Sequence, residues 1–287
     1  MQNIEKIFLA GLGALLPALV VIICKYFWSR SRKKTSRSPQ VEKLLRPAGY
    51  SLQLKLEAIM DSVMEDLFAA MVFAGGAVWI VEHNSNFAFL FAAPFILPSL
   101  FFTWRIVGKF RKAENYRLGL RGEQAVAESL TEVADSGYRA FHDFVSEKLG
   151  NLDHIVVGSR GVFLIETKAR SRPAKSKSGQ PAHEVVYDGE ALQFPNFRES
   201  QPVQQAKRNA VWLENYLKKK TGENTPVEAL IVLPGWFVRP SVKSAEVKAM
   251  NATYLVSFLR SKPEKISPAQ VTRIIAVIEE NCRTIEF

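Results

Sequence analysis

Long uncharged runs dominate the N-terminal third of the chain. Residues 7–24 carry no charge and match the roughly 17–25 residues that a helix needs to cross a hydrocarbon core. Two further apolar runs, residues 67–81 and 87–104, are separated by the polar segment 82–86. The pattern predicts an all-α membrane region of about three transmembrane helices, the last two forming a hairpin. A cleaved signal peptide is the competing interpretation of the first run, whose length favours an uncleaved anchor.

Basic residues follow the apolar runs and predict the orientation of the chain. One cluster follows the first run and another follows the third: Arg30, Arg32, Lys33, Lys34 and Arg37, then Arg105, Lys109, Arg111 and Lys112. Basic residues beside spanning helices are retained on the cytoplasmic side. We therefore expect a multi-pass protein of a bacterial-type inner or plasma membrane, with its N-terminus outside and everything after Trp104 in the cytoplasm. The lipid bilayer is the first partner that the sequence predicts.

The pattern after Leu118 alternates between helical and strand periods. A helical stripe of apolar residues comes first, and strand-like runs follow at 138–145 and 151–168. The remaining predicted elements are a helix from Gln201 to about Lys220, a buried strand at 227–233, a strand at 253–258 and a helix from Ser267 to about Cys282. This order predicts an α/β domain with a mixed sheet flanked by helices.

These patterns divide the chain into five parts. They are an anchor helix at 1–28, a basic cytoplasmic linker and helix at 29–66, a helical hairpin with a basic exit at 67–115, an α/β domain at 116–235, and an accessory strand and helix at 236–287.

Charge and cysteine content narrow the function classes only slightly. Of the net charge of +10, residues 1–116 hold 14 basic and 8 acidic residues, and residues 117–287 hold 24 and 20. The α/β part is therefore mildly basic, and charge alone is weak support for nucleic-acid binding. Cys24 and Cys282 have no CxxC spacing, which argues against a disulfide framework or a zinc site.

A predicted hairpin in the α/β domain carries the main candidate chemistry. With Ser159 and Arg160 as a two-residue loop, antiparallel pairing places Asp153 opposite Glu166. Side chains alternate along strands, so Asp153, Glu166 and Lys168 share one face. Charged groups on an apolar face are costly to bury. Two interpretations are open, a site for a hard divalent cation and a salt-bridged strand pair. A three-residue loop would separate the carboxylates.

Two other features have a functional and a structural interpretation. Glu123 falls on the apolar stripe of the helix after Leu118, so it either points into a site or interacts with the helix dipole. A basic tract follows Lys168 directly and is either a solvated loop or a contact for phosphates. Its candidate nucleic-acid-binding residues are Arg170, Arg172, Lys175 and Lys177.

Four segments in this order resemble the nuclease-related domain (NERD) family. They are Gly119–Glu123, Asn151–Gly158, Gly161–Lys168 and Gln201–Ala206. The family is similar to the PD-(D/E)xK, restriction-endonuclease-like nucleases, and the resemblance covers roughly residues 116–235. Two departures are Asn151, where the family often has Gln, and a long basic segment between Lys168 and Gln201 without the expected Trp.

The resemblance implies a restriction-endonuclease-like fold and hydrolysis of phosphodiester bonds, with DNA as the favoured substrate and Mg²⁺ (or Mn²⁺) as the cofactor. It implies that Asp153 and Glu166 are metal ligands, Lys168 the catalytic lysine and Glu123 the acidic residue of the first helix. Gln204 is the corresponding polar residue of the second helix.

An alternative function of a different class also fits the sequence. The chain would then be a non-catalytic membrane tether or scaffold that binds nucleic acid or a partner protein. A second copy of the chain, forming a homo-oligomer, is a further candidate partner.

Overall fold

The computed structural model describes residues 43–83, 88–146, 148–176, 179–242 and 244–285, which fall into two compact units. The described residues of 57–113 form the first unit, and those of 42–56 and 114–286 form the second. The anchor predicted at 1–28 and the basic cluster after it lie outside the described residues. Residues 43–56, which the sequence assigned to a linker, are part of the second unit.

Two long helices, α1 (Tyr50–His83) and α2 (Ala88–Thr131), pack together in the first unit. The ring of Phe73 stacks on that of Phe102 with their centroids 5.9 Å apart. A Cβ atom at Gly76 would lie 2.5 Å from the ring of Phe95, so the absence of a side chain there lets the helices approach. The two apolar runs predicted to be helical are therefore helical.

Only one helix among the described residues is long and apolar enough to cross a membrane. It covers Tyr50–Glu82. The prediction of three transmembrane helices is not confirmed, because the first run is outside the described residues and α2 does not meet the same criterion.

A buried ion pair joins α1 to α2 where the hairpin becomes polar. Asp66 is 4% exposed, and its Oδ2 lies 2.8 Å from Lys109 Nζ and 3.3 Å from Arg105 Nε. Two residues of the second basic cluster therefore serve as counter-ions inside the hairpin.

Helix α2 continues without a break from the apolar run into the α/β domain. The sequence predicted two elements, a membrane run and a separate helix after Leu118, but α2 spans 44 residues from Ala88 to Thr131. Pro94 and Pro98 lie inside it and do not end it. The intervening residues after Trp104 favour a helix, since they contain no Pro and few β-branched side chains.

The core of the second unit is a five-stranded mixed sheet with helices on both faces. In chain order, the remaining elements are β1 (Leu44–Leu45), β2 (Arg139–Ser146), β3 (Gly150–Gly158), β4 (Gly161–Thr167), β5 (Glu184–Tyr187), β6 (Leu192–Gln193), β7 (Arg198–Glu199), α3 (Gln201–Thr221), β8 (Val227–Val232), β9 (Phe237–Pro240), β10 (Lys248–Met250), α4 (Ala252–Arg260), α5 (Pro268–Cys282) and β11 (Arg283–Ile285). The core sheet has the order β10-β8-β4-β3-β2. Strands β2, β3 and β4 pair antiparallel, and β4, β8 and β10 pair parallel. The predicted mixed α/β architecture is confirmed.

The β3–β4 hairpin has the predicted register. Gly158 pairs with Gly161 and His154 with Ile165, so Ser159 and Arg160 form the two-residue loop. Helices α3 and α5 cover the sheet face that carries Ile155 and Leu164. The last turns of α2 and helix α4 cover the opposite face.

A glycine allows α2 to reach the end of β4. A Cβ atom built at Gly122 would lie 2.6 Å from the Cβ of Ala169, which is closer than real side chains approach. Glu123 is the next residue, so this close approach sets the position of its side chain.

The segment predicted as a strand at 253–258 is helical. Asn251 caps α4, because its side chain accepts a hydrogen bond from Tyr254 N at 2.7 Å. Leu255, Val256 and Leu259 then form one buried face. The β-branched and aromatic composition suggested a strand, but the spacing of these apolar residues and the cap favour a helix. The accessory strand of this region is β10 instead.

We expect Gly122→Ala to lower the melting temperature of the purified full chain, because the added methyl group overlaps Ala169. Overpacking of this kind typically costs about 1–3 kcal/mol. Thermal unfolding followed by circular dichroism measures the effect. Gly108→Ala is the matched control on the same helix, since a Cβ atom there has no neighbour within 4 Å. Equal melting temperatures for both variants would contradict the packing described here.

Candidate active site

The carboxylates of Asp153 and Glu166 are close enough to interact, because the charge of Glu166, after burial, contributes to raising the pKa of Asp153. The paired residues of β3 and β4 end one position earlier, at His154 and Ile165. The backbone N–H of Thr167 donates to Asp153 Oδ2 at 2.7 Å, which holds the Asp153 side chain against the end of β4. The predicted proximity of the two carboxylates is therefore present.

Glu166 is the most enclosed of the predicted site residues, at 2% exposure. Its Oε1 accepts hydrogen bonds from Lys168 Nζ at 2.8 Å and from Gln205 Nε2 at 2.6 Å. Its Oε2 is buried and has no hydrogen-bond partner. A buried carboxylate oxygen is strongly disfavoured without a partner, so this atom fits a site for a cation.

Gln205, and not the predicted Gln204, reaches the site from α3. Besides bonding to Glu166, its Oε1 lies 3.3 Å from Lys168 Nζ, while Gln204 is exposed. The buried stripe of α3 begins with Pro202, Val203 and Ala206. With 3.6 residues per turn, Gln204 lies nearly opposite this stripe and Gln205 at its edge. A helical-wheel argument would have selected Gln205.

Glu123 joins the carboxylates from α2, and it is 8% exposed. Burial, followed by the charges of Asp143 and Glu166, raises its pKa to about 7. The backbone N–H of Gly49 donates a hydrogen bond to its carboxylate and opposes this shift. Of the two interpretations left open by the sequence, the structure favours a side chain that points into the site.

Burial and neighbouring carboxylates raise the pKa of both Glu123 and Asp153. Burial, then the charges of Glu166 and Glu123, raises the pKa of Asp153 well above its usual range. Lys168 is the nearby cation, and it opposes the shift only in part. A divalent cation between Asp153 and Glu166 would relieve this repulsion.

Asp153 and Glu166 fit a magnesium-type site, in which few protein oxygens are needed. No group of three His, Cys, Asp or Glu side chains within the described ranges is close enough to hold a metal ion alone. Mg²⁺ commonly takes one or two carboxylates and completes its shell with water and substrate phosphate. Two hard oxygen donors, one of them without a protein partner, are consistent with that donor set.

Asp143 is a residue of this region that the sequence did not single out. It has a left-handed backbone, with φ at 53°, and is buried in β2. Its Oδ1 accepts from Asn151 Nδ2 at 2.9 Å, and its Oδ2 accepts from Ser51 N at 3.0 Å and Ser51 Oγ at 2.6 Å. Arg46 NH1 also donates to the Asp143 carbonyl oxygen at 2.8 Å. Asp143 thereby ties the segment containing Gly49, the partner of Glu123, to the core sheet.

A histidine pair, His142 and His154, lies on the other side of β3. The ring of His154 is fully buried. Its Nε2 lies 3.1 Å from Thr167 Oγ1, and its Nδ1 lies 2.8 Å from His142 Nδ1. Burial lowers the pKa of both rings, which favours their neutral forms. The pair supports the strand ends from the face opposite Asp153.

The basic tract after Lys168 divides into paired and exposed residues. Arg170 is held by Glu199, with NH2–Oε1 and Nε–Oε2 distances of 2.6 and 3.2 Å, and its carbonyl oxygen accepts from Trp236 Nε1. Arg172 and Lys175 are exposed. Lys177 lies outside the described residues. Arg170 therefore has an internal partner, which leaves Arg172 and Lys175 as the described cations open to phosphate.

Comparison with known families agrees with this arrangement. Residues 118–234 match the family model of the nuclease-related domain, NERD. This segment is therefore similar to nuclease-related domains. The match begins within α2, ends just after β8, and contains Glu123, Asp153, Glu166, Lys168 and Gln205. The chain matches no curated protein and no solved structure. The NERD assignment indicates a nuclease-related function for this domain.

We expect Glu123→Gln to stabilise the metal-free protein at neutral and higher pH but not in acid. Between pH 4.5 and about 7 the unfolded chain releases a proton that folded Glu123 retains, so the parent loses stability as pH rises through this window. The Gln variant has no such loss. Melting temperatures of the parent and the variant, measured in EDTA from about pH 4 to about pH 8, span this window and give the difference in stability. Exposed Glu128→Gln on α2 is the control. A difference that does not grow with pH would contradict the assignment.

Proposed function

We propose that the NERD domain hydrolyses phosphodiester bonds of nucleic acid, preferably DNA, with Mg²⁺ or Mn²⁺ bound by Asp153 and Glu166. The observation that carries the proposal is the buried Glu166 carboxylate. One of its oxygens is held by Lys168 and Gln205, and the other is unpartnered beside Asp153. The Lys168–Glu166 ion pair of the alternative interpretation is present, but it leaves Oε2 unpartnered and does not account for Glu123 beside the other two carboxylates.

The sheet supports a restriction-endonuclease-like core for this domain. The antiparallel β3–β4 hairpin carries the carboxylates, and β8 pairs parallel with β4 on its other side. Helices α2 and α3 bring Glu123 and Gln205 to the same strand end from opposite faces. The closeness of Glu123, Asp153, Glu166 and Lys168 at this edge supports the proposal, with Gln205 in place of Gln204.

Each side chain has a distinct task in the proposed reaction. A bound metal ion supplies an activated water and stabilises charge on the phosphoryl group. Lys168, oriented by Glu166 Oε1, donates toward the attacking water or the developing negative charge. Gln205 bonds to both residues and fixes their relative position. Glu123, with a pKa of about 7, can exchange a proton near neutral pH.

We also propose that the hairpin anchors this domain at the cytoplasmic face of a membrane. Helix α1 has the length and hydropathy of a span. Large apolar side chains on the outer surfaces of the hairpin are exposed, as expected for contact with lipid: Met71, Val78, Leu97, Leu100, Phe101 and Trp104. Such surfaces on a soluble protein would favour aggregation.

We expect Asp153→Asn and Lys168→Ala each to lower metal-dependent DNA cleavage by about 100-fold or more, as removal of one stabilising group in a hydrolytic site does. Their effects on metal binding should differ. Asp153→Asn removes a ligand and should weaken Mn²⁺ binding in calorimetry, whereas Lys168→Ala removes a cation and should retain it.

Exposed Asp135→Asn is the control for these variants and should match the parent in both assays. Parental cleavage by Asp153→Asn would overturn the proposed function. Cleavage of RNA in preference to DNA would revise only the substrate.

We expect Glu82→Cys to react with a membrane-impermeant thiol reagent in intact spheroplasts, because Glu82, exposed in the last turn of α1, lies outside in the proposed topology. Glu132→Cys, exposed in the α/β unit, should react only after lysis. The background is Cys24→Ser, and Cys282 can stay because burial raises its pKa to about 12 and leaves it 1% exposed. The reverse labelling pattern would overturn the orientation.

A further inference from the structure

A cavity of about 610 Å³ lies between α3, the end of β2 and the end of α5. Its lining includes Phe144, Trp212, Tyr216, Lys148, Lys219 and Lys220. None of these belongs to the candidate active site. The volume is typical of cavities that bind small molecules, roughly 300–1,000 Å³.

The wall formed by α3 is aromatic and held in place. Trp212 and Tyr216 are four residues apart, and their rings stack at 5.1 Å with an interplanar angle of 15°. Phe144 contacts both rings edge-on, at 6.1 and 5.7 Å. Asn281 Nδ2 donates to the Tyr216 hydroxyl at 2.7 Å. Both rings are half-buried, so they present a fixed flat surface suited to a planar ligand.

The rim of the cavity is positively charged. Lys148, Lys219 and Lys220 are exposed, and none of the described residues that line the cavity is acidic. The C-terminus of α3 contributes the equivalent of about half a negative charge, which three ammonium groups exceed. Lys220 Nζ lies 5.9 Å from the centre of the Tyr216 ring, so charge and aromatic surface adjoin. The cavity therefore suits an anion attached to a planar ring.

We propose that this cavity binds a nucleotide, with its base against Trp212 and Tyr216 and its phosphate among the three lysines. Aromatic stacking combined with Lys contacts to phosphate is a common way to hold single nucleotides and single strands. Two sources share this chemistry, a free mononucleotide and a nucleotide within a single strand. Gln205 and Trp212 are seven residues apart on α3, about 10 Å along the helix, so a short strand can extend toward the active site. The binding itself does not depend on the proposed hydrolysis.

The experiment is calorimetric titration of the full chain in detergent and EDTA, with AMP and with the single-stranded pentanucleotide dT5. We expect Trp212→Leu and the double variant Lys219→Gln/Lys220→Gln each to weaken binding about tenfold or more. The double variant should also reduce the salt dependence of binding. Lys218→Gln is the matched control, since Lys218 lies in the same helical turn but does not line the cavity.

The outcomes distinguish a free mononucleotide from a nucleotide within a single strand, and they test the cavity separately from the proposed nuclease function. Binding of AMP that the variants weaken identifies a mononucleotide site, and variant-sensitive binding of dT5 alone identifies a strand-binding site. Binding of neither probe, or binding that Lys218→Gln weakens as much as the double variant, would overturn the inference. Because the lysine substitutions are on the surface, they test the cavity even if Trp212→Leu unfolds. Asp153→Asn should leave this binding unchanged, so failure of the proposed nuclease function is distinguishable.

Discussion

The pairing of β3 with β4 is the constraint on which the candidate site depends. The two-residue loop at Ser159 and Arg160 fixes the register, and the hydrogen bond from Thr167 N to Asp153 secures it at the far end. A slip of one residue would exchange the faces of a strand. It would separate Asp153 from Glu166 and also turn buried Ile155 toward the opposite layer. Core packing and the position of the carboxylates are therefore specified by the same pairing.

The helices complete the site because they approach the end of β4 closely enough to bring Glu123 and Gln205 to it. Gly122 lets α2 reach the end of β4, and Glu123 follows directly into a group that already contains two carboxylates. Burial raises the pKa values of Glu123 and Asp153, and the neighbouring carboxylates, opposed by one lysine, raise them further. Such a cluster destabilises the metal-free fold above neutral pH. The compensating stability comes from the apolar layers on both sides of the sheet.

The sequence predicted the features that depend on local pattern. The hairpin register and the mixed α/β order follow from alternation and turn residues, and the placement of Glu123 follows from the apolar stripe. The sequence was a poorer guide to features that depend on the angular position of a residue around a helix or on contacts between distant segments. Gln205 and Gln204 are chemically identical, and only the angle between them on α3 decides which reaches Glu166. Asp143 has a left-handed backbone and is bound by distant Ser51 and Arg46, and no local signal marks such a residue.

The α/β unit is discontinuous in sequence, because residues 57–113 belong to the other unit. Strand β1 pairs with β11, so Leu44 meets Ile285 across most of the chain. During synthesis, this two-stranded sheet cannot form until residue 285 has been made, by which time the helical hairpin is already complete. Gly49 and Ser51, which bind Glu123 and Asp143, are made before the hairpin and must wait for partners made after it. The order of translation therefore delays assembly of the carboxylate cluster until the hairpin has left the ribosome.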